Sequence, residues 1–271
     1  MNNMDLLAGA LQYMEDHLCD EIRTEDVAAA CFCSKSTLEK LFRCVNNITV
    51  REYLVRRRMM KAARMLIEQP ETGILEIALQ YGYSANESFT RAFKQVWNCK
   101  PSEFRGRQKG AHPQFSELFP RLTKPLEDGD VYMSERRPVD ISELYDLFLQ
   151  RKDCYFVCCD IKHLVPINEI SRKAGDIAIL TAMQRMEDAA GEEDIVFRIG
   201  GDEFALLTNH TGEAYAKSVA DKIRAKNEQP FDFEGQQIPL SLHVGIARFA
   251  CAHLRYNELF TQLHTVIKES K

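Results

Sequence analysis

The chain of 271 residues has no apolar run approaching the roughly 18–20 residues that a membrane span needs. Its first residues, MNNMDLLAGALQYMEDHLCDE, carry acids where a secretory signal needs a basic flank and a long apolar stretch. A cytoplasmic protein with no membrane partner is therefore expected. The nine cysteines show no repeated spacing, and Cys31-Phe-Cys33 and Cys158-Cys159 are too close to form a zinc knuckle. That usage fits reduced, partly buried thiols, with a redox sensor as the alternative. A surplus of positive charge is lacking too, since the net charge is −5. The deficit is unevenly spread. Up to Gly110 there are 16 Lys and Arg against 14 Asp and Glu, a balance of +2, and the remainder carries −7. Hydrophobic content of 45% with 28% charged residues is that of a globular chain long enough for two domains.

The first hundred residues show no strand alternation. Apolar residues recur at helical spacing over Leu6–Leu18, Thr24 stands as a helix N-cap, and Ser34 caps a helix reaching Cys44. Val50–Ile67 reads as a long basic helix. Ile74–Tyr81 is a short one broken by Gly82, and Ala85–Val96 resumes after a cap at Ser84. Two segments thus share one plan of helix, turn and capped helix, Thr24–Arg43 and Ile74–Lys94. Ala28 and Ala78 permit close helix crossing, and Gly82 supplies the turn in the second unit where Phe32 stands in the first. A recognition helix presents its first turns to base edges. Lys35, Ser36, Thr37 and Lys40 in the first unit, and Asn86, Glu87, Ser88 and Arg91 in the second, are the candidate base readers. Asn suits adenine and Arg suits guanine. Arg43, Lys94 and the Arg56-Arg57-Arg58 cluster are candidates for phosphates. For each side chain the plain alternative is a solvated surface group.

Residues from about 5 to 107 resemble the DNA-binding domain of AraC-type transcription regulators, on the strength of Glu76-Ile-Ala-Leu-Gln-Tyr-Gly-Tyr-Ser, Ser88-Phe-Thr-Arg-Ala-Phe-Lys and Pro101-Ser-Glu-Phe-Arg. The resemblance implies double-stranded DNA as partner. It also implies two helix-turn-helix units at the ends of a linking helix, here Val50–Ile67, entering successive major grooves.

Between Gly106 and Pro138 periodicity fades and Gly, Pro and charge accumulate, the texture of a linker with a short helix near 116–122. Beyond it Ile141–Gln150 reads as helix, Cys154–Cys159 as a buried strand ending in Asp160, and Ala214–Asn227 as helix. Pro239–Phe249 reads as a last strand region. Ile195–Ile199 and Glu203–Leu207 flank Gly200-Gly201 as a hairpin. The expected fold is multi-domain: an all-α double helix-turn-helix domain over 1–107, a linker over 108–138, and an α+β sandwich over 139–271.

Arg198-Ile-Gly-Gly-Asp-Glu-Phe places two carboxylates, Asp202 and Glu203, beside a glycine turn that a phosphate can approach, and Asp160 can join them. Three hard oxygen donors suit Mg²⁺, though a purely structural hairpin is the bland alternative. Residues from about 152 to 271 resemble the GGDEF domain of diguanylate cyclases, similar to the nucleotide-cyclase palm. The resemblance implies Asp160, Ile161, Asp202 and Glu203 at metal. It implies Asn168, Asp176, Gly200, Gly201 and Lys271 at nucleotide, GTP or cyclic di-GMP as ligand, a homodimer through this domain, and Glu203 as the catalytic group if the domain is active. Departures are many. Leu164-Val165 stands for Phe-Lys, the run Asn168 to Asp176 lacks Gly-His, Gly191 replaces the Arg of an inhibitory Arg-x-x-Asp, and Lys271 is the last residue. Losing two or three cationic phosphate partners costs about 1.5–3 kcal/mol each. The expected function is therefore a sequence-specific transcription regulator whose second domain senses a nucleotide or mediates dimerisation, with coupling through the linker. An active cyclase is the alternative.

Overall fold

A computed structural model describes residues 3–107, 141–151, 153–249 and 255–271. The expected linker, with its short helix near 116–122, lies outside the described residues. The first part is all helical: α1 Asn3–Asp16, α2 Thr24–Ala30, α3 Lys35–Asn46, α4 Val50–Glu68, α5 Ile74–Gln80, α6 Asn86–Trp97 and α7 Pro101–Arg107. Leu6, Leu7, Ala10, Leu11 and Met14 bury one face of α1, as their spacing requires.

The caps differ from expectation at two of three points. Ser34 does cap α3, its Oγ accepting from Thr37 N–H at 3.1 Å. Thr24 is instead the first residue of α2, and the Asp26 carboxylate accepts from Arg23 N–H at 2.7 Å. Ser84 does not cap α6, because Ala85 holds the N-cap position without a side-chain bond. An unforeseen capping box starts α4, where Thr49 N–H donates to Glu52 and Glu52 N–H donates to Thr49 Oγ1.

The two helix-turn-helix units repeat one another in backbone detail. Phe32 N–H donates to Ala29 O and Cys33 N–H to Ala28 O; Gly82 N–H donates to Leu79 O and Tyr83 N–H to Ala78 O. Both turns need a left-handed residue, with φ +53° at Phe32 and +77° at Gly82. Each second helix ends on a left-handed asparagine, Asn47 after α3 and Asn98 after α6. The sequence assignment of Phe32 to the glycine position is correct.

The second part opens with α8 (Ile141–Gln150) and continues β1 (Tyr155–Ile161), α9 (Leu164–Ile170), α10 (Arg172–Ala189), β2 (Ile195–Arg198), β3 (Glu203–Leu207), α11 (Glu213–Arg224), β4 (Pro230–Phe233), β5 (Gln236–Pro239), β6 (Leu242–Arg248) and α12 (Tyr256–Glu269). Strands β2-β3-β1-β6 form an antiparallel sheet, and β4-β5 a separate ribbon. Alternation along the strands divides the core. Val157, Cys159, Phe204, Leu206 and Val244 pack with α10 and α11 on one face. Phe156, Cys158, Phe197, Ala205 and Leu207 face the other way, into a core continuous with that of the helical domain.

That second core joins the domains. Phe148 of α8 lies 5.8 Å from Phe156, 5.6 Å from Phe197 and 5.9 Å from Phe249 between ring centroids. Tyr256 N–H donates to Gln12 of α1 at 2.8 Å. At the centre Arg57 of α4 is fully buried; it donates to both carboxylate oxygens of Glu15, to Asp146 of α8, and to Ser142 O at 3.2 Å. Its guanidinium also sits 5.1 Å from the Tyr145 ring centroid. The expected phosphate contact of Arg57 is therefore wrong: a side chain with no exposed surface that already meets two carboxylates has nothing left for DNA. Arg58 likewise bonds Leu18 O and Asp20 O beyond the end of α1.

Candidate functional site: two recognition helices and a carboxylate loop

Helices α3 and α6 bury their apolar faces through Leu38, Leu41 and Phe42, and through Phe89, Phe93 and Trp97. Their opposite faces are open. Lys35, Ser36, Thr37, Lys40 and Arg43 are exposed, and so are Asn86, Glu87, Ser88, Arg91 and Lys94. Not all are free to move. Lys35 pairs with Glu25 at 2.7 Å, and the Ser36 and Thr37 hydroxyls engage Ser34. Arg56 is half-buried on α4. The 19 residues of α4 span about 28 Å at 1.5 Å per residue. That is close to the roughly 34 Å between successive major grooves on one face of a duplex.

The carboxylate loop is set by strand register. Asp160, near the end of β1, lies directly opposite Glu203 on β3. Ile199 and Gly200 both donate to Glu203 O, and Ile161 N–H donates to Asp202 O at 3.1 Å. A Cβ on Gly200 would lie 2.2 Å from Glu203 Oε2, so this glycine leaves room for the carboxylate itself; a Cβ on Gly201 would meet nothing within 4 Å. Asn168 of α9 packs where Gly175 of α10 has no side chain. Lys271 Nζ sits 2.9 Å from Asp160 Oδ2. Asp160, Glu203 and Lys271 thus stand together at the edge of the sheet.

Charge in this cluster is imbalanced. Burial, then repulsion from Asp202 and Asp160, pushes Glu203 up to about 7; burial, then Asp160, raises Asp202. Lys271 is held above its ordinary value by its bond to Asp160. The donor chemistry suits a hard divalent cation, but Asp160 is not free to offer its carboxylate to one. Lys271 lies on the Asp160 carboxylate, and among the described residues no group of three or more His, Cys, Asp or Glu is gathered to hold a metal ion. Asp194, the remnant of Arg-x-x-Asp, is occupied structurally by Gly191 N–H, Asn209 N–H and Tyr215 Oη–H.

One residue the sequence left without a role is Arg198, although it stands immediately before the glycine turn. Its guanidinium donates to Gly200 O at 2.9 Å, to Gly201 O, and to Cys44 O on α3 at 2.6 Å. None of the eight described cysteines forms a disulfide, and burial raises the Cys31 thiol to about 11, which keeps it unreactive.

These features define a paired helix-turn-helix DNA-binding domain joined to a palm-like domain. The family models agree: a helix-turn-helix domain matches residues 27–107, and the diguanylate cyclase GGDEF domain matches residues 141–271. The probable transcription factor PqrA of Proteus vulgaris is 36% identical over 105 residues, covering 38% of this chain and 84% of that protein. Regulatory protein SoxS of Salmonella typhimurium is 28% identical over 107 residues, 40% of this chain and 99% of its own length. The chain spans only 30% of the Msm operon regulatory protein of Streptococcus mutans, at 37% identity over 84 residues, or 31% of this chain. Among solved structures, an EAL/GGDEF domain protein from M. capsulatus is 26% identical, with a TM-score of 0.41, over 47% of this chain and 86% of its own. The chain belongs to the AraC-type family of helix-turn-helix transcription regulators and carries a GGDEF domain as its second part. No helix among the described residues is long and apolar enough to cross a membrane.

Proposed function

We propose that the chain regulates transcription by reading two adjacent major grooves with α3 and α6, and that its GGDEF domain answers to a guanine nucleotide without cyclising it. The observation that carries the first part is the matched pair of exposed polar faces on α3 and α6, the second helices of two like units that flank α4 in the chain. Arg91 and Asn86 are the base readers of the second unit; Lys40 and the hydroxyls of Ser36 and Thr37 serve the first. Arg43 and Lys94 fit phosphates.

The Lys271–Asp160 ion pair supports the non-catalytic reading. The family's Mg²⁺ would need Asp160 freed and drawn together with Glu203. The phosphate-facing Lys is replaced by Val165, which leaves a triphosphate with few charge-assisted partners. GTP or cyclic di-GMP is the expected ligand, at Asn168, Asp176 and the Gly200-Gly201 turn. The second domain also mediates homodimerisation in this reading, which light scattering of the full chain checks.

Footprinting of the purified chain with and without GTP and Mg²⁺ tests the whole. The expected result is protection of two neighbouring grooves that changes when GTP is added, with no cyclic di-GMP formed on chromatography. Cyclic di-GMP appearing with the parent chain and vanishing with Glu203→Ala makes the domain a cyclase. An unchanged footprint with bound GTP removes the sensing role.

A further inference from the structure

We propose that Arg198 is a molecular clamp that ties the glycine turn of the GGDEF domain to the first recognition helix, and that a phosphate-bearing ligand at the turn releases it. The geometry is that of one planar fork on two elements. From β2, the guanidinium takes Gly200 O and Gly201 O on one side and Cys44 O on the other, with its second terminal nitrogen 3.8 Å from Cys44 Sγ. Cys44 lies in the last turn of α3, where backbone carbonyls lack partners within the helix. Asn47 N–H serves Arg43 O, and Arg198 serves Cys44 O. A cation there also complements the negative end of the helix dipole. The residue that holds the nucleotide turn is therefore also the C-terminal cap of a DNA-reading helix.

The clamp is built to be displaced. Arg198 enters no ion pair among the described residues; its acceptors are neutral carbonyls and a thiol. Asp202 and Asp176 lie near enough to act on it electrostatically. Lys271, a second cation at the site, is already engaged by Asp160. A phosphate entering over Gly201, where space is open, would meet the Arg198 guanidinium that holds Gly201 O. A phosphate oxygen is a stronger acceptor for guanidinium than a carbonyl, and bidentate pairing favours it further. Taking Arg198 into that pairing removes the cap of α3. Linkage requires the reverse effect: DNA that fixes α3 must change nucleotide affinity by the same factor. Arg198 acts here as a positioning residue, through α3, and touches neither base nor phosphodiester.

The ligand arm rests on the nucleotide-responsive reading above; the mutational arm does not. Hydrogen exchange of the last turn of α3 is measured in the full chain for the parent, Arg198→Gln and Arg198→Lys, with core amides of β1 as the folding control. Without ligand, Arg198→Gln should exchange about tenfold faster at residues 44–48, the size expected for losing a charge-assisted hydrogen bond. Arg198→Lys should fall between, and β1 should not change. Equal protection of α3 in all three chains overturns the clamp. With GTP, the parent should come to resemble Arg198→Gln while Arg198→Gln stays as it was. GTP that binds by calorimetry yet leaves α3 unchanged overturns the release. GTP that gives no heat with the parent defeats the sensing reading, and the clamp is then decided by the mutational arm alone.

Discussion

Replacing Arg57 with methionine should be among the most damaging single changes available in this molecule. The parent side chain is fully buried and joins Glu15 of α1 to Asp146 of α8, which are themselves only 7% and 16% exposed. Methionine fills much of the same volume but leaves two carboxylates in a nearly dry site. Breaking a buried ionic network by removing one partner costs about 3–5 kcal/mol. Lys61 at 3.4 Å and Arg64 at 3.8 Å still face Asp146, which places the expected loss near the lower end of that range. At about 2–4 °C per kcal/mol for a chain of this size, the thermal midpoint should fall by roughly 6–12 °C. The pH dependence is the sharper test. Burial alone would raise Asp146, but the charges of Arg57 and Lys61 prevail and hold it below its ordinary value. In the parent its contribution is present above the carboxylate's unfolded value of about 3.9, and fades as pH falls through the lower folded value. In Arg57→Met the burial of Asp146 is no longer opposed by Arg57, its carboxylate is more readily protonated, and the variant gains on the parent as the pH drops. Circular dichroism melts at about pH 8 and about pH 5 should therefore show the gap narrowing. A midpoint within about 2 °C of the parent, or a gap unchanged between the two pH values, would refute the reasoning. Converting Glu15, Arg57 and Asp146 together to apolar residues should recover most of the loss.

The paired turns predict opposite responses. Phe32→Gly should stabilise by about 0.5–1 kcal/mol, because Phe32 is 94% exposed and sits at positive φ, whereas Gly82→Ala should destabilise by about 1 kcal/mol or more. Urea titration distinguishes the signs, and a shared sign for the two would sink the equivalence of the turns. Arg91→Ala should weaken specific binding by about 1–3 kcal/mol with far less loss of non-specific binding, as base contacts do. Competition gel shifts decide it, and equal losses would assign Arg91 to phosphate. Glu203 titrates at about 7, above its unfolded value, so its contribution is full below the unfolded value and lost as pH rises through about 7. Thermal midpoints between about pH 5 and 8 should fall less steeply for Glu203→Gln than for the parent. Parallel curves would place no raised carboxyl at the turn.

What the sequence made legible followed from short-range rules. Helical periodicity, the Ser34 cap, the shared turn of Phe32 and Gly82, and the hairpin around Gly200-Gly201 each depend on residues a few positions apart. Arg56-Arg57-Arg58 misled for the same reason. Read as a string it is a basic patch, yet on a helix each residue turns about 100° from the last. Arg57 points into the domain junction, Arg58 is tied to the end of α1, and only Arg57 of the three is fully buried. Nothing local marks Arg57 as buried, because Asp146 lies 89 positions away. Helix α10 and the β4-β5 ribbon also escaped notice: α10 is alanine-rich with a weak apolar contrast, and the ribbon shows its alternation only through Phe231 and Phe233.

The junction changes where communication between the domains should be sought. A linker was the natural expectation, since any signal between two separate cores must travel through the chain that joins them. Here the cores are not separate. The Phe156–Phe197 face of the sheet packs into the same apolar cluster as α1 and α4, and the Arg57 network locks that contact with buried charge. Packed interfaces of this kind shift between discrete arrangements rather than deforming smoothly. Arg198 stands at their edge, one side chain from the glycine turn to α3. A ligand at the turn therefore needs no long route to reach the DNA-reading surface; it needs only to compete for one guanidinium. Removing the Arg57 lock should loosen that coupling even where both domains stay folded. A nucleotide effect on the footprint that persists undiminished in a folded Arg57→Met chain would return the linker to first place.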